Sequence, residues 1–312
     1  MALNTTRITD SGIWLAGCIP DLPTPFDAND TIDTTAFARL CERQIDAGVP
    51  ALVVGETSGE SSTLTPAEHE VLARIAVEIA NRRVLVIAGA GSNSTQQAIE
   101  LTRRAEKAGA DAVLSVVPYY NKPMQSGIEA HFQAIAASTT LPIILHDIPA
   151  RTVRGLSDDT LARLANSPQF MGLRDGTGDA TRVLRLRSML PPAFRLLSGD
   201  DASALAFLTH GGDGCFSLAS NIAPEQSQAV FRNFQQGRHA VARDLQSRLL
   251  PLISAVAKES PAVLKYALCL LGLCLPNVRL PMVELDQDAK AEMANLIAEI
   301  SEIPLLAQYY RR

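Results

Sequence analysis

Short runs of β-branched and aliphatic residues recur about every 30 positions along the chain, and each is followed by a segment whose apolar residues repeat at helical spacing. The runs are Gly17 to Leu22, Ala51 to Gly55, Val84 to Ala88, Ala112 to Val117, Pro142 to Asp147, Phe170 to Arg174, Arg195 to Ser198 and Gly214 to Leu218. Near-continuous apolar strands alternating with amphipathic helices are the mark of a parallel sheet covered on its outer face. Eight such units predict a (β/α)8 barrel, an α/β fold in which reactive groups gather at the C-terminal ends of the strands. An open doubly wound sheet shares the alternation, but no glycine-rich dinucleotide fingerprint follows the first run.

Helix starts support this register. Thr65-Pro66-Ala67-Glu68 reads as a capping box with proline in the first turn, and Ser94-Thr95-Gln96-Gln97 offers a second box. After the eighth run, Pro224 to Gln236, Ala240 to Val256, Pro261 to Leu271 and Asp288 to Ile300 all read as helices. One last βα unit needs fewer. The chain therefore divides into a barrel over 13–222 and, over 223–312, the final barrel helix with a C-terminal helical subdomain.

Composition narrows the function. Hydrophobic residues make up 47% and charged residues 20% of 312, which suits one large globular core. A net charge of -5 and scattered basic residues argue against nucleic acid as a partner. Met1 to Gly12 lacks an apolar leader core, and no stretch of 18 uninterrupted apolar residues follows, so no membrane partner and a cytoplasmic location are expected. Five cysteines without a Cys-x-x-Cys pair predict buried free thiols rather than disulfides or a zinc knuckle.

The strand ends carry the candidate chemistry. In Gly55-Glu56-Thr57-Ser58-Gly59-Glu60-Ser61, the Thr57 and Ser58 hydroxyls and exposed amides could receive a carboxylate, or could simply satisfy a turn. Pro118-Tyr119-Tyr120-Asn121-Lys122-Pro123 carries two phenols, able to relay protons or merely to pack. His146-Asp147-Ile148-Pro149-Ala150-Arg151-Thr152 sets an imidazole, a carboxylate and a guanidinium in one segment; Arg151 suits a substrate carboxylate or a surface ion pair. Further polar groups end the sixth, seventh and eighth strands at Arg174-Asp175-Gly176-Thr177, Ser198-Gly199-Asp200-Asp201 and Phe216-Ser217.

Taken in order, Pro23-Thr24-Pro25-Phe26, Thr57-Ser58-Gly59-Glu60-Ser61, Pro118-Tyr119-Tyr120-Asn121, Ile148-Pro149-Ala150-Arg151-Thr152, Ser198-Gly199-Asp200-Asp201 and Arg279-Leu280-Pro281-Met282 resemble the dihydrodipicolinate synthase/N-acetylneuraminate lyase family. The resemblance runs from about Gly12 to Leu285. It implies a cofactor-free, metal-free lyase or aldolase acting on a pyruvate-like keto acid, assembled as a homotetramer. By the same resemblance, Thr57 and Ser58 hold the keto acid carboxylate and join a proton relay. Tyr120 extends that relay toward a neighbouring subunit, Arg151 binds carboxylate at the entrance, and the carbonyls of Gly199 and Phe216 face the site.

Two positions depart from the family pattern. His146 stands where most members carry a tyrosine acid/base, and Arg174 stands where they carry the lysine that forms a Schiff base. A guanidinium stays protonated and cannot attack a ketone. Among the five lysines, Lys107, Lys122, Lys258, Lys265 and Lys290, only Lys122 falls in a strand-end loop expected near the site. The expectation is therefore an enzyme without the imine, with His146 as acid/base and Arg174 as an anion clamp. The alternatives are a non-catalytic keto acid binding or regulatory paralogue, in which Arg174 pairs with Asp147, Asp175 or Glu56 and plugs the site, and a metal site built from His146 with Glu56, Asp147 or Asp200.

Overall fold

The computed structural model describes residues 14–259 and 261–301. The leader reading of Met1 to Gly12, the start of the resemblance, and both outer ends of the expected division at 13–222 and 223–312 lie outside the described residues. The eight strands are β1 (Gly17–Pro20), β2 (Ala51–Val54), β3 (Leu85–Gly89), β4 (Ala112–Val116), β5 (Ile143–Asp147), β6 (Phe170–Asp175), β7 (Arg195–Ser198) and β8 (Gly214–Ser217). They pair in parallel in the order β1-β8-β7-β6-β5-β4-β3-β2. The seam between β1 and β2 closes just past the end of β1, where Asp21 bridges Val53 and the Leu22 amide donates to the Val53 carbonyl at 2.9 Å. The fold is thus the expected (β/α)8 barrel.

Strand alternation divides the apolar residues into two sets. Ile19, Val53, Ile87, Leu114, Ile144, Leu197 and Phe216 fill the barrel interior. The intervening residues, such as Cys18, Leu52, Val86, Val113, Leu145 and Leu173, pack outward against the helices. Burying both faces is what makes these strands read as unbroken apolar runs. The same period of two decides the site: Asp21, His146 and Arg174 each follow an inward-facing position, Ile19, Ile144 and Gly172, by two residues.

Helix boundaries match the expected starts closely, with one difference. Thr65 makes the full reciprocal capping box with Glu68. Ser94 accepts from the Gln97 amide, but the Gln97 side chain is taken by the Ser92 hydroxyl at 2.9 Å, so the second box is only half formed. After β8 come helices Pro224–Gln235, His239–Glu259, Ala262–Leu270 and Gln287–Ser301, and Leu249, Leu252, Leu264, Leu268 and Met293 share one hydrophobic cluster with the barrel's outer face. Cys18, Cys41, Cys215 and Cys274 are buried free thiols, and Cys269 is half-buried. No helix among the described residues is long and apolar enough to cross a membrane.

Candidate active site

At the C-terminal mouth of the barrel, four charged or titratable side chains form one buried network. Arg174 is paired in register with His146 across β5 and β6, so both side chains enter the interior side by side. Arg174 Nη1 donates to Asp21 Oδ2 at 2.8 Å and to Glu56 Oε2 at 3.2 Å. The other Glu56 oxygen, Oε1, lies 3.0 Å from His146 Nδ1. The guanidinium carbon stands 5.4 Å from the Phe216 ring centroid, so the interior aromatic layer supports the cation from one side. Asp21 and His146 are fully buried, Arg174 is 3% exposed and Glu56 6%.

A tight turn delivers Glu56. Gly55 has φ +63°, and a Cβ on Gly89 of the adjacent strand would stand 2.2 Å from the Gly55 carbonyl oxygen. Only glycines let β2 and β3 close up this far, and the turn they form swings Glu56 onto the inward face. The Thr57 amide then donates to the Glu56 carboxylate, while Ser58 is buried and Thr57 half-buried.

The electrostatics separate the four groups. Burial opposes ionisation of Glu56, but His146, Arg174 and the Thr57 side chain outweigh it and hold the carboxyl well below the usual carboxylate range. Burial dominates at Asp21 and, with the neighbouring Glu56 charge, outweighs Arg174 and the nearby Ser58 hydroxyl, pushing Asp21 up to about 6. Burial likewise lowers the pKa of His146, with Arg174 and Arg151 acting against its protonation and Glu56 favouring it. At Arg174 burial works against the charge, yet Asp21 and Glu56 overcome it and raise the pKa further.

An ionised Glu56 can only accept, so a neutral His146 carries its proton on Nδ1 and leaves Nε2 bare. That Nε2, Asp21 Oδ1 and Arg174 Nε are all buried and have no hydrogen-bond partner. Buried polar atoms are normally satisfied, so these three, carried by members of one hydrogen-bonded network, leave places where a polar group would find partners. Chemically, the arrangement supplies a carboxylate-oriented base, a fixed cation and a second carboxyl of different acidity.

Several expectations need correction. Arg174 pairs with Glu56 as one alternative held, but not with Asp147 or Asp175. Strand alternation turns both carboxylates outward, where Asp147 accepts from Arg182 Nη1 at 2.8 Å and Asp175 lies 3.4 Å from the same atom. The metal set of His146 with Glu56, Asp147 or Asp200 does not converge, since Asp200 accepts the Ala202 and Ser203 amides at the start of a helix. Lys122 is exposed, whereas Lys265 is fully buried and bonded to Glu60 of the Thr57–Glu60 segment, so Lys122 is not the lysine closest in structure to that segment. Asp21 was not foreseen as a site residue. A lone carboxylate ending the apolar run Cys18-Ile19-Pro20-Asp21-Leu22 was the available signal.

The remaining candidates sit at the periphery of this network. Arg151 is exposed on the short helix Pro149–Thr152. Tyr120 is 88% exposed with φ +69°, so within one chain it does not reach His146 or Arg174. Gly199 donates its amide to the Asp175 carbonyl at 2.6 Å, and a Cβ there would stand 3.1 Å from Gly176 Cα, which keeps the β6 and β7 ends close together.

Comparison with known proteins agrees with this architecture. The model of the dihydrodipicolinate synthetase family matches residues 14–300. The 4-hydroxy-tetrahydrodipicolinate synthase of Hyphomonas neptunium is 48% identical over 278 residues, covering 88% of this chain and 94% of that protein. The protein of the same name from Bartonella bacilliformis is 43% identical over 293 residues, covering 91% of this chain and all of that one. Among solved structures, the 4-hydroxy-tetrahydrodipicolinate synthase of Methylacidiphilum fumariolicum superposes with a TM-score of 0.91 at 40% identity, over 95% of this chain and 98% of the other. Dihydrodipicolinate synthase of Aquifex aeolicus gives 0.90 at 35% identity, over 92% and 98%.

Proposed function

The chain belongs to the dihydrodipicolinate synthetase family, and we propose that it acts on a pyruvate-like keto acid as a lyase-class enzyme that forms no Schiff base. The observation that carries this reading is the engagement of Arg174 by both Asp21 and Glu56 at the position the family resemblance assigns to the imine-forming lysine. A guanidinium has no free lone pair to add to a ketone. What it supplies is a fixed positive charge beside the reacting carbonyl, where it would stabilise an enolate as charge develops.

His146 is the base in this reading. Glu56 orients the imidazole, holds the proton on Nδ1 and leaves Nε2 to remove a proton from the carbon next to the ketone. The enolate so formed is the species needed for making or breaking a carbon–carbon bond, or for expelling a β-oxygen. Thr57, Ser58 and Arg151 are assigned to the substrate carboxylate, with the carbonyls of Gly199 and Phe216 lining the site. Thr57 and Tyr120 are assigned to the proton relay, Tyr120 from a neighbouring subunit of a tetramer; its exposure and left-handed backbone support a role across an interface.

Exchange of the methyl protons of pyruvate in deuterated buffer, followed by proton NMR, tests the assignment. The wild-type protein is expected to catalyse exchange, and His146→Gln to lose about 10²-fold or more of it, the usual worth of a positioned base. Binding of pyruvate without exchange would favour the non-catalytic reading and sink this one.

A further inference from the structure

The reading above leaves Asp21 unexplained, and so does ordinary structural need. A second carboxylate on Arg174 is not required to neutralise it, since Glu56 already does so. With His146 in the neutral form that a base requires, Asp21, Glu56 and Arg174 together carry one negative charge too many. Excess charge in a dry site is relieved by protonation. Two groups have a buried atom free to take that proton, His146 Nε2 and Asp21 Oδ1, and burial lowers the proton affinity of the first while raising that of the second. Glu56 is committed to three donors, namely His146 Nδ1, Arg174 Nη1 and the Thr57 amide, whereas Asp21 gives Oδ2 to Arg174 and leaves Oδ1 buried with no partner.

We propose that Asp21 is a further catalytic residue, the general acid that protonates the keto acid's ketone oxygen while His146 removes the proton from carbon. The inference rests on the proposed function and adds the second half of the proton transfer to it. Asp21 directly follows β1 and His146 lies in β5, and the two are joined through Arg174 and Glu56 in one buried network beside the guanidinium. In the forward step the C–H electron pair becomes the C=C bond of the enol, and the proton goes to His146 Nε2. The carbonyl π pair takes the proton from Asp21 Oδ1. The products are the enol, an imidazolium and an Asp21 carboxylate, and the reverse step restores all three.

The pairing has an independent rationale. Sites that run acid and base chemistry together hold two titratable groups whose surroundings push their proton affinities in opposite directions. Here burial raises Asp21 to about 6 and lowers His146, the two directions that a neutral acid and a neutral base require. The groups facing Asp21 are Arg174 from β6, Glu56 and Ser58 from the segment after β2, and the Asn221 amide, which donates to the Asp21 carbonyl at 2.9 Å.

The test is the pH profile of pyruvate proton exchange by the full chain, for the wild type, Asp21→Asn and Asp21→Glu. The wild-type rate is expected to fall as pH rises through about 6, where Asp21 loses its proton. Asp21→Asn should exchange about 10²-fold more slowly and lack that alkaline limb, because an amide does not titrate. Asp21→Glu should recover the limb. A wild-type profile without the alkaline limb overturns the inference, whether or not the variants fold. So does an Asp21→Asn protein that keeps both rate and limb, and in that case the His146 assignment still stands. Absence of exchange in the wild type overturns both.

Discussion

Replacing Arg174 with methionine gives the sharpest prediction about the energetics of the site. The substitution keeps an unbranched apolar stem but removes the guanidinium that stands over Phe216, leaving Asp21 and Glu56, fully buried and 6% exposed, facing each other without a cation. Breaking a buried ion pair by removing one partner costs about 3–5 kcal/mol, because the stranded charge has lost both water and its counter-ion. At about 2.1 cal/mol/K per residue, unfolding entropy over 312 residues converts that cost to a fall in Tm of about 5–8 °C. Removing the whole set with apolar side chains of similar size, as Asp21→Leu/Glu56→Met/Arg174→Met, should recover most of the loss, since a buried ionic cluster replaced by well-packed apolar groups is near neutral or stabilising. Thermal melts followed by circular dichroism at pH 8 would measure both. The loss should shrink at pH 5, where the stranded carboxyls can take up protons. A single variant within about 1 °C of wild type, or a triple variant as unstable as the single one, would refute the claim that these charges are desolvated and mutually dependent.

Other outcomes follow from the same geometry. Asp21 is raised from 3.8 to about 6, so its stabilising contribution is complete below 3.8 and is lost as pH rises through 6, a swing of about 3 kcal/mol. The Tm of Asp21→Asn relative to wild type should therefore climb between pH 4 and pH 8, and a flat difference would contradict the burial account. Lys265 is fully buried, bonded to Glu60 and to the Asn277 carbonyl at 2.7 Å, and lies 4.0 Å from the Phe26 ring centroid. Lys265→Met should cost about 3–5 kcal/mol in urea unfolding by stranding Glu60 in the segment that carries Thr57 and Ser58. Arg174→Lys alone should still trap pyruvate poorly with borohydride, because Asp21 and Glu56 would hold the new amine protonated; ready trapping by that single variant would show that the two carboxylates do not control the position.

The barrel was legible because burial on both strand faces leaves an apolar signature that needs no knowledge of contacts. The site was legible only in part. Motif order singled out His146, Thr57, Ser58 and Arg174 as candidates, and charge alone argued that Arg174 cannot be a nucleophile. The identity of its partners depended on strand phase, which sequence spacing gives only when the inward register is known. Asp147 and Asp175 look adjacent to His146 and Arg174 in sequence, yet the one-residue offset sends them to Arg182 on the opposite face. Asp21 is 153 residues from Arg174, and closure of β1 onto β2 and β8 is what brings the two together.

The central claim is that the position the resemblance assigns to the imine-forming lysine is held instead by an ion-paired guanidinium. Incubation with pyruvate and borohydride, read by intact mass, tests it directly, with Asp21→Ala/Glu56→Ala/Arg174→Lys as the variant in which a free amine is restored. The account predicts no reduced adduct on the wild-type protein and one adduct on the triple variant. A single reduced pyruvate on the wild-type chain, mapped to any of Lys107, Lys122, Lys258, Lys265 or Lys290, would contradict it.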